Sequence, residues 1–518
     1  MTTKTNILFI SSDQQHWFSM GFLNPEVKTP NLDRLAARGT YFNRAYTVNP
    51  TCTPTRASWI TGMYPSQHGA YSLGTKLMES VPTVGERFSD ENYRTGLVGK
   101  AHFQPLKSTD EYPSLEAYPT LHDLEFWKKY DEPFYGFEDY KLARNHTDEA
   151  HVGQHYALWM IEKGYDNWRD YFLPNPVDAR FPEDEYMESS HTKTPLGTPW
   201  EIPEEIHYNT WIADETNTLM EKYKEDGDNF FLWASFFDPH PGYMVPEPYA
   251  SMYDPNEVTV PEFVPGEFDD KPPYFKLSQQ ENPDFSEYKT DEGTNALHGA
   301  HSHLKSEEAK AKSIATMYGM MTMMDKYIGV ILDKLDELGL TEDTLVCFTT
   351  DHGDFWGQHG LMAKALHHYD DLIKVPMIVS MPGTIPENKK SDSLQSTVDL
   401  APTFLSFAGI EIPRIMTGID ENAVWTGEKD TIRNHVIVEN HHNPTTMNMK
   451  TYINERYKMT IHFKREYGEI YDLQEDHGEY KNLWDLPECQ ELKKDLFQEF
   501  LYAEMEKEAM PMPRIAGA

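Results

Sequence analysis

The chain alternates short, wholly apolar runs with stretches of helical period, and the apolar runs end on polar clusters. Residues 7–10 stop at Ser11, Ser12 and Asp13. Residues 230–237 stop at Asp238, Pro239 and His240. Residues 344–350 stop at Asp351, His352 and Gly353, and residues 375–380 stop at Met381, Pro382 and Gly383. Continuous apolar runs of this length predict strands buried on both faces, the habit of parallel sheets. Between them the period changes. Residues 29–38 predict a helix with Leu32 and Leu35 on one face and Gly39 as its stop signal. Residues 52–63 predict a loop entering a helix, with Thr53 and Pro54 at its start. The longest helical pattern is 313–338, where Ile314, Met317, Met321, Met324, Ile328 and Ile331 recur at helical spacing and predict a stripe facing the core. Strands alternating with helices predict an α/β fold: a large, mixed, mostly parallel sheet flanked by helices. In such sheets ligands bind beyond the carboxyl ends of the strands, where the polar clusters fall here.

Two regions break the rhythm. Residues 107–205 are rich in Asp, Glu, Tyr and Trp with little period, and residues 239–310 begin with a stretch crowded with Pro and acids. Both predict long ordered loops inserted in the large domain, either lids or surface decoration. Beyond about residue 405 the pattern becomes antiparallel. Strands are predicted near 435–439, 451–453 and 458–463, and an amphipathic helix near 488–508. The division expected is a large α/β domain over 1–405 and a smaller α+β domain over 406–518.

Composition narrows the partners. The 518 residues carry 84 acidic and 46 basic side chains, a formal net charge of −38. This argues against duplex nucleic acid and against an anionic membrane, since both need clustered Lys and Arg. At 39% apolar and 13% aromatic the chain has the means for a large core and is no disordered polyacid. Cys52, Cys347 and Cys489 are too few and too scattered for a disulfide framework. The first residues show no secretory h-region, and no stretch approaches the ~20 apolar residues of a spanning helix. The expectation is a cytoplasmic protein.

The most informative segment is Cys52-Thr53-Pro54-Thr55-Arg56 at the mouth of a helix. It resembles the C-x-P-x-R signature of the formylglycine-dependent sulfatases, of the alkaline phosphatase superfamily. That family usually carries Ser or Ala where this chain has Thr55. Other segments resemble the same family in the same order: 7–13 its opening strand, 28–39 its first helix, 61–65 the turn after its cysteine helix. Residues 93–102 resemble its lysine–histidine segment, 238–240 its second histidine site, and 350–353 with Lys364 its second metal segment and second lysine. Residues 469–473, followed by Asn482 and Leu483, resemble the signature of its C-terminal domain.

The residue types fit the chemistry independently of the resemblance. A sulfate ester is anionic and its leaving group is poor. Its hydrolysis needs a strong nucleophile, cations on the sulfuryl oxygens and a proton for the departing oxygen. Asp13 and Asp351, after strands, offer hard oxygen ligands to a divalent cation. The resemblance adds Gln14 and His352 to that set, with residue 52 beside the metal. It implies oxidation of Cys52 to formylglycine by a formylglycine-generating enzyme. One hydroxyl of the hydrate, acidified by the metal and Arg56, would attack sulfur. Lys100, Lys364 and the metal would hold the sulfuryl oxygens, His240 with Lys364 would protonate the leaving alcohol, and His102 would take the proton that lets sulfate go.

The metal set departs from the commonest sulfatase pattern, which has Asp at the place of Gln14 and often Asn at that of His352. Imidazole favours transition metals, so Mn²⁺ competes with the family's Ca²⁺. The phosphonate monoester hydrolases look similar at these positions, and a phosphonate monoester or phosphodiester hydrolase on the same machinery is the alternative reading. The expected partners are a small anionic ester, the maturation enzyme and further copies of the chain. His16, His68, His155, His359, His367 and His368 are left without a role, since most of the 22 histidines must be structural or exposed.

Overall fold

A computed structural model of the chain describes residues 4–144, 147, 151–172, 199–281, 283–288, 300–364, 366–442 and 445–517. Its strands run in chain order as β1 (Asn6–Ser12), β2 (Thr40–Tyr46), β3 (Arg94–Gly99), β4 (Asp139–Leu142), β5 (Phe230–Ser235), β6 (Ala300–His301), β7 (Thr344–Thr350), β8 (Leu361–Met362), β9 (Lys374–Val375), β10 (Met377–Ser380) and β11 (Lys389–Ser396). The main sheet has the order β11-β2-β10-β7-β1-β5-β3-β4, with β9 paired to β2, while β6 and β8 form a separate two-stranded ribbon. The pairs along β7-β1-β5-β3-β4 are all parallel. The mostly parallel mixed sheet flanked by helices is the architecture expected from the sequence. The run 375–380 differs from the expectation in being split at Pro376. Its longer part, β10, lies antiparallel to both β7 and β2. Proline cannot donate to a ladder, which accounts for the break.

Central strand β1 shows why an unbroken apolar run was needed. Leu8 and Ile10 point into one core with the Met stripe of the helix Glu307–Glu337, and Ile7 and Phe9 into a second core with Trp59 and Phe404. The long helix begins at Ser306, whose hydroxyl accepts the Ala309 amide at 3.2 Å. Its buried Asp325 accepts the amides of Asn31 and Leu32 at 3.0 and 2.7 Å. It thereby caps the helix Pro30–Ala37, which has no side-chain cap of its own.

The excursions are less loop-like than their composition predicts. Residues 107–205 contribute β4, the edge of the main sheet, and the helix Gln154–Glu162. The part 173–198 lies outside the described residues. Region 239–310 carries β6 and the short helix Pro273–Leu277.

The C-terminal part is an antiparallel meander of β12 (Val436–His442), β13 (Met447–Ile453), β14 (Tyr457–His462) and β15 (Gly468–Asp472), covered by the helix Gln490–Glu506. One inner face shares a core with the large sheet: Val436, Val438 and Met449 meet Tyr46, Phe355, Leu372 and Ile373. A buried ionic knot joins the same surfaces. Lys458, fully buried, donates to Asp370 Oδ1 at 2.9 Å and pairs with Glu479, which also accepts the Asp370 amide at 2.7 Å. Burial pushes the Glu479 carboxyl up to about 7 even with Lys458 opposing it. Among the described residues no helix is long and apolar enough to cross a membrane.

Removing one partner of a buried ion pair leaves the other charge without compensation. Lys458→Met strands two carboxylates in the shared core and is expected to lower the free energy of unfolding by ~3–5 kcal/mol. Chemical denaturation should show the midpoint falling, with partial recovery in the Lys458→Met/Glu479→Gln double variant. An unchanged midpoint would mean that the knot does not hold the C-terminal meander to the large sheet.

Candidate active site

Register alone gathers the polar strand ends. Ser12 lies opposite Thr350, so Asp13 and Asp351 leave the sheet side by side. Ser235 lies opposite both Ser11 and Gly99, which sets Lys100 on the far side of β5. Gly99 has φ 106, and a side chain there would run into the Ser235 carbonyl. The close approach that delivers Lys100 therefore needs glycine.

Arg56 ties these ends together from the helix Cys52–Thr61. Its Nε donates to Asp351 Oδ2 at 2.8 Å, and its Nη1 donates to the Lys100 carbonyl at 3.0 Å and Ser235 Oγ at 2.8 Å. Its Nη2 stands 3.8 Å from Asp13 Oδ2. The guanidinium lies over the rings of Trp59 and Trp233, with no exposed surface. Thr55 is held by its hydroxyl. Its hydroxyl donates to the Asn49 carbonyl at 2.7 Å and stands 2.9 Å from the Thr47 hydroxyl, which in turn donates to the Asp351 carbonyl at 2.7 Å. These hydroxyls tie the turn before the cysteine helix to the backbone of Asp351.

Cys52 is the first residue of that helix and is 1% exposed. Its Sγ lies 3.2 Å from Lys364 Nζ, 3.3 Å from His352 Nε2 and 3.7 Å from Asp13 Oδ1. Burial and the Asp13 carboxylate disfavour a thiolate. The Lys100 and Lys364 ammonium groups outweigh them and hold the thiol below its ordinary value. The positive end of the helix adds in the same sense. Lys364 Nζ also reaches His240 Nε2 at 3.2 Å and His352 Nε2 at 3.4 Å. Burial works against its charge, but Cys52, Asp13 and Asp351 raise its pKa overall. His240 Nδ1 donates to the Pro241 carbonyl at 2.6 Å, which turns Nε2 toward Lys364. Lys100 Nζ is bonded to Asp13 Oδ2.

The donor set fits a divalent cation. Ligand atoms of Asp13, Cys52, Asp351 and His352, all buried, lie within 4.8 Å of one another. His352 Nδ1 donates to the Gly353 carbonyl at 2.9 Å, which fixes the tautomer that leaves Nε2 as a ligand. Burial pushes the Asp351 carboxyl up, as does Asp13, yet Arg56 and His352 bring it below the ordinary range, so it is held as an anion. Gln14, left-handed at φ 60, gives its amide N–H to Asp351 Oδ1 at 3.0 Å and its Nε2 to Asp354 Oδ2 at 2.7 Å. Its Oε1 is buried without a hydrogen bond, an amide oxygen of the kind a hard cation takes.

Asp354 and Asp238 were missed as site residues. Asp354 lies three residues after Asp351, and that spacing is the signal that could have found it. It accepts from Gln14, from the Tyr243 hydroxyl at 2.8 Å and from the Trp356 and Ala363 amides at 2.9 and 3.1 Å. Asp238 takes the Tyr208 hydroxyl and Asn209 Nδ2, and burial first, then Asp13, pushes its carboxyl up to about 7. His102, left-handed at φ 61 and largely buried, stands two residues beyond Lys100 with its amide N–H donated to Glu116. Two unassigned histidines hold one carboxylate: His16 Nε2 is 2.9 Å and His359 Nε2 3.5 Å from Asp371.

The basic heads do not by themselves make the site positive. Arg56 and Lys100 face the buried carboxylates of Asp351 and Asp13, which offset their charge.

The fold is alkaline-phosphatase-like. The sulfatase family model matches residues 5–410, and the chain belongs to the sulfatase family. A second model, N-sulphoglucosamine sulphohydrolase, C-terminal, matches residues 357–506. The chain is 26% identical over 511 residues to an arylsulfatase of Clostridium perfringens, covering 97% of this chain and 95% of that one. It is 26% identical over 438 residues to a multifunctional alkaline phosphatase superfamily protein of Trinickia caryophylli, covering 80% and 76%. A solved phosphonate monoester hydrolase from Silicibacter pomeroyi superposes with a TM-score of 0.77 at 24% identity, over 98% of this chain and 96% of that one. The family and its named relatives make this chain a sulfuric ester hydrolase.

Burial lowers the His359 pKa, but Asp371 and Glu267 raise it from 6.5 to about 9. A histidine whose folded pKa is raised stabilises the fold fully below its unfolded value, and that contribution fades as pH rises through the folded one. The window is therefore pH 6.5 to about 9, and the shift corresponds to about 3 kcal/mol. Denaturation of the wild type should weaken across this window relative to His359→Gln. Parallel pH profiles for the two proteins would contradict the assignment.

Proposed function

We propose that this chain hydrolyses sulfate monoesters, aryl esters among them, through residue 52 after Cys52 is oxidised to formylglycine, with one divalent metal held by Asp13, Gln14, Asp351 and His352. The observation that carries this reading is the setting of Cys52: a helix N-terminus, one ammonium and one imidazole within 3.3 Å, and a carboxylate at 3.7 Å. A plain thiol in that setting could attack sulfur, but it could not then expel the sulfate by elimination. A hydrated aldehyde at residue 52 offers one oxygen for attack on sulfur and a second for release of sulfate. When bound, the metal supplies Lewis acidity to that oxygen and to the sulfuryl group.

The remaining tasks fall to the chain's own side chains. Lys364 is held protonated between residue 52 and His240, so it neutralises the sulfuryl oxygens, and His240 Nε2 beside it gives the proton to the departing alcohol. Lys100 lies against Asp13 and offers a second positive head beside the same centre. Arg56 acts as a positioning residue, because its bonds go to Asp351, Lys100 and Ser235 rather than toward the thiol. His102 takes the proton whose loss expels sulfate. The imidazole of His352 suits Mn²⁺ as well as Ca²⁺.

Phosphonate monoester hydrolysis is the second reading, favoured by the Gln14 and His352 ligands. Both esters present a tetrahedral anionic centre to the same groups. The maturation enzyme must meet the chain before folding closes over Cys52, and its cysteines suit a reducing cytoplasm.

Turnover of an aryl sulfate and an aryl phosphonate monoester by the metal-loaded enzyme decides between the two. The larger kcat/KM is expected for the sulfate, and a larger value for the phosphonate would make the second reading the main one. Chelation should abolish both activities, with recovery on adding Ca²⁺ or Mn²⁺. Activity that survives exhaustive chelation would contradict the metal assignment.

A further inference from the structure

The 107–205 excursion sends one carboxylate back to the strand end that carries His102. Glu116 is almost fully buried. Its Oε1 accepts the His102 amide at 2.9 Å and Arg144 Nη1 at 3.3 Å, and its Oε2 accepts the amides of Phe103 and Gln104 at 2.8 Å each. Three successive N–H groups thus converge on one side chain. Arg144 supplies the counter-charge and closes the clamp by donating to the Gln104 carbonyl at 2.9 Å. Gln104 Oε1 in turn accepts the Leu115 amide at 2.6 Å, so the clamp is double.

His102 sits at the start of this turn in a left-handed conformation, φ 61. That conformation costs a non-glycine residue about 1 kcal/mol or more and persists only where the surroundings impose it. Backbone φ sets the direction of Cβ, so the bonds that impose it also aim the imidazole. A carboxylate that only had to hold the excursion down would not need to bind the amide of His102 itself.

We propose that Glu116 is a positioning residue for the release half of the reaction: it fixes the turn 102–104 so that His102 can take the proton from residue 52. The proposal rests on the role given to His102 above. In the release step the remaining O–H of residue 52 loses its proton to a ring nitrogen of His102. The C=O of the aldehyde forms from that electron pair, and the C–O bond to sulfate breaks with its pair leaving on sulfate. No oxidant or reductant is needed. Bond formation to sulfur, which uses Lys364 and His240, does not pass through this turn.

The test compares Glu116→Gln, Glu116→Asp and His102→Ala, with exposed Glu111→Gln as control, each verified to carry the modified residue 52. Rapid mixing with excess aryl sulfate follows release of the aryl alcohol, and intact mass follows sulfuryl groups retained on the protein. Expected for Glu116→Gln is a burst at nearly the wild-type rate, a steady state slower by ~10-fold or more, and retained sulfuryl mass, part of the ~10²–10⁴ that general base catalysis supplies. Glu116→Asp, which keeps the charge but reaches fewer amides, should fall between, and Glu111→Gln should match the wild type. Amide exchange at 102–104 should quicken in Glu116→Gln. Burst and steady state falling by one common factor, or no retained sulfuryl group in either Glu116 variant while His102→Ala retains it, would overturn the proposal alone. No retention in His102→Ala would overturn the role of His102 and this proposal with it. If Glu116→Gln does not fold, Glu116→Asp decides by the same criteria.

Discussion

Arg56 is the interaction on which the rest of the site depends. One guanidinium joins the ends of three parallel strands through Asp351, Lys100 and Ser235, and it stands close to Asp13 at the end of a fourth. Strands that approach this closely at their carboxyl ends bring carboxylates and lysines within a few ångströms, and those charges are buried. A planar, permanently charged fork with donors in fixed directions can satisfy a carboxylate, a carbonyl and a hydroxyl at once, where lysine cannot. The two tryptophans over its faces exclude water, so breaking any of these bonds leaves a buried group without a partner. Arg56 and Cys52 share one helix turn. Whatever holds the guanidinium therefore also sets the first residue of the helix against Lys364 and His352.

The same packing changes the meaning of the strongly acidic composition. A chain of net charge −38 with an anionic substrate needs a local field of opposite sign. Near Cys52 the carboxylates of Asp13 and Asp351 offset much of the charge of Arg56 and Lys100. A divalent ion would tip that balance, and its ligands are the carboxylates that otherwise neutralise Arg56 and Lys100. Metal binding and substrate attraction would then be one electrostatic event. Several residues around the site hold left-handed backbones, Gln14, His102, Trp356 and Ala363 among them. Their amides are held by buried carboxylates, Gln14 by Asp351, His102 by Glu116, and Trp356 and Ala363 by Asp354.

Much of this was legible in the sequence because buried parallel strands cannot hide. The runs at 7–10, 230–237 and 344–350 are apolar on both faces, and the polar residues after them mark the ligand end of the sheet. Strands β2, β3 and β4 carry Thr, Asn, Arg, Gly and Asp among their apolar residues and lack that pattern, so they passed unseen. The edge strand β4 lay inside what composition suggested was a loop. The segments resembling the sulfatases gave Cys52, Arg56, Lys100, His240, Asp351, His352 and Lys364, and the fold sets these around one point. What the sequence could not show was which residues serve the others. Glu116 is one acid among many in an acidic stretch, and only the turn it binds distinguishes it. Asp354 had a spacing to betray it. Arg56 reads as catalytic by its place in the signature, and only the fold shows that its bonds go to Asp351, Lys100 and Ser235.

We propose that this buried arrangement exists to use a modified residue 52. The most direct measurement is the mass of the peptide bearing residue 52 from catalytically active enzyme. An aldehyde or its hydrate is expected there, with the thiol lost and the amount modified rising and falling with specific activity across preparations. An intact Cys52 thiol in fully active protein would contradict it.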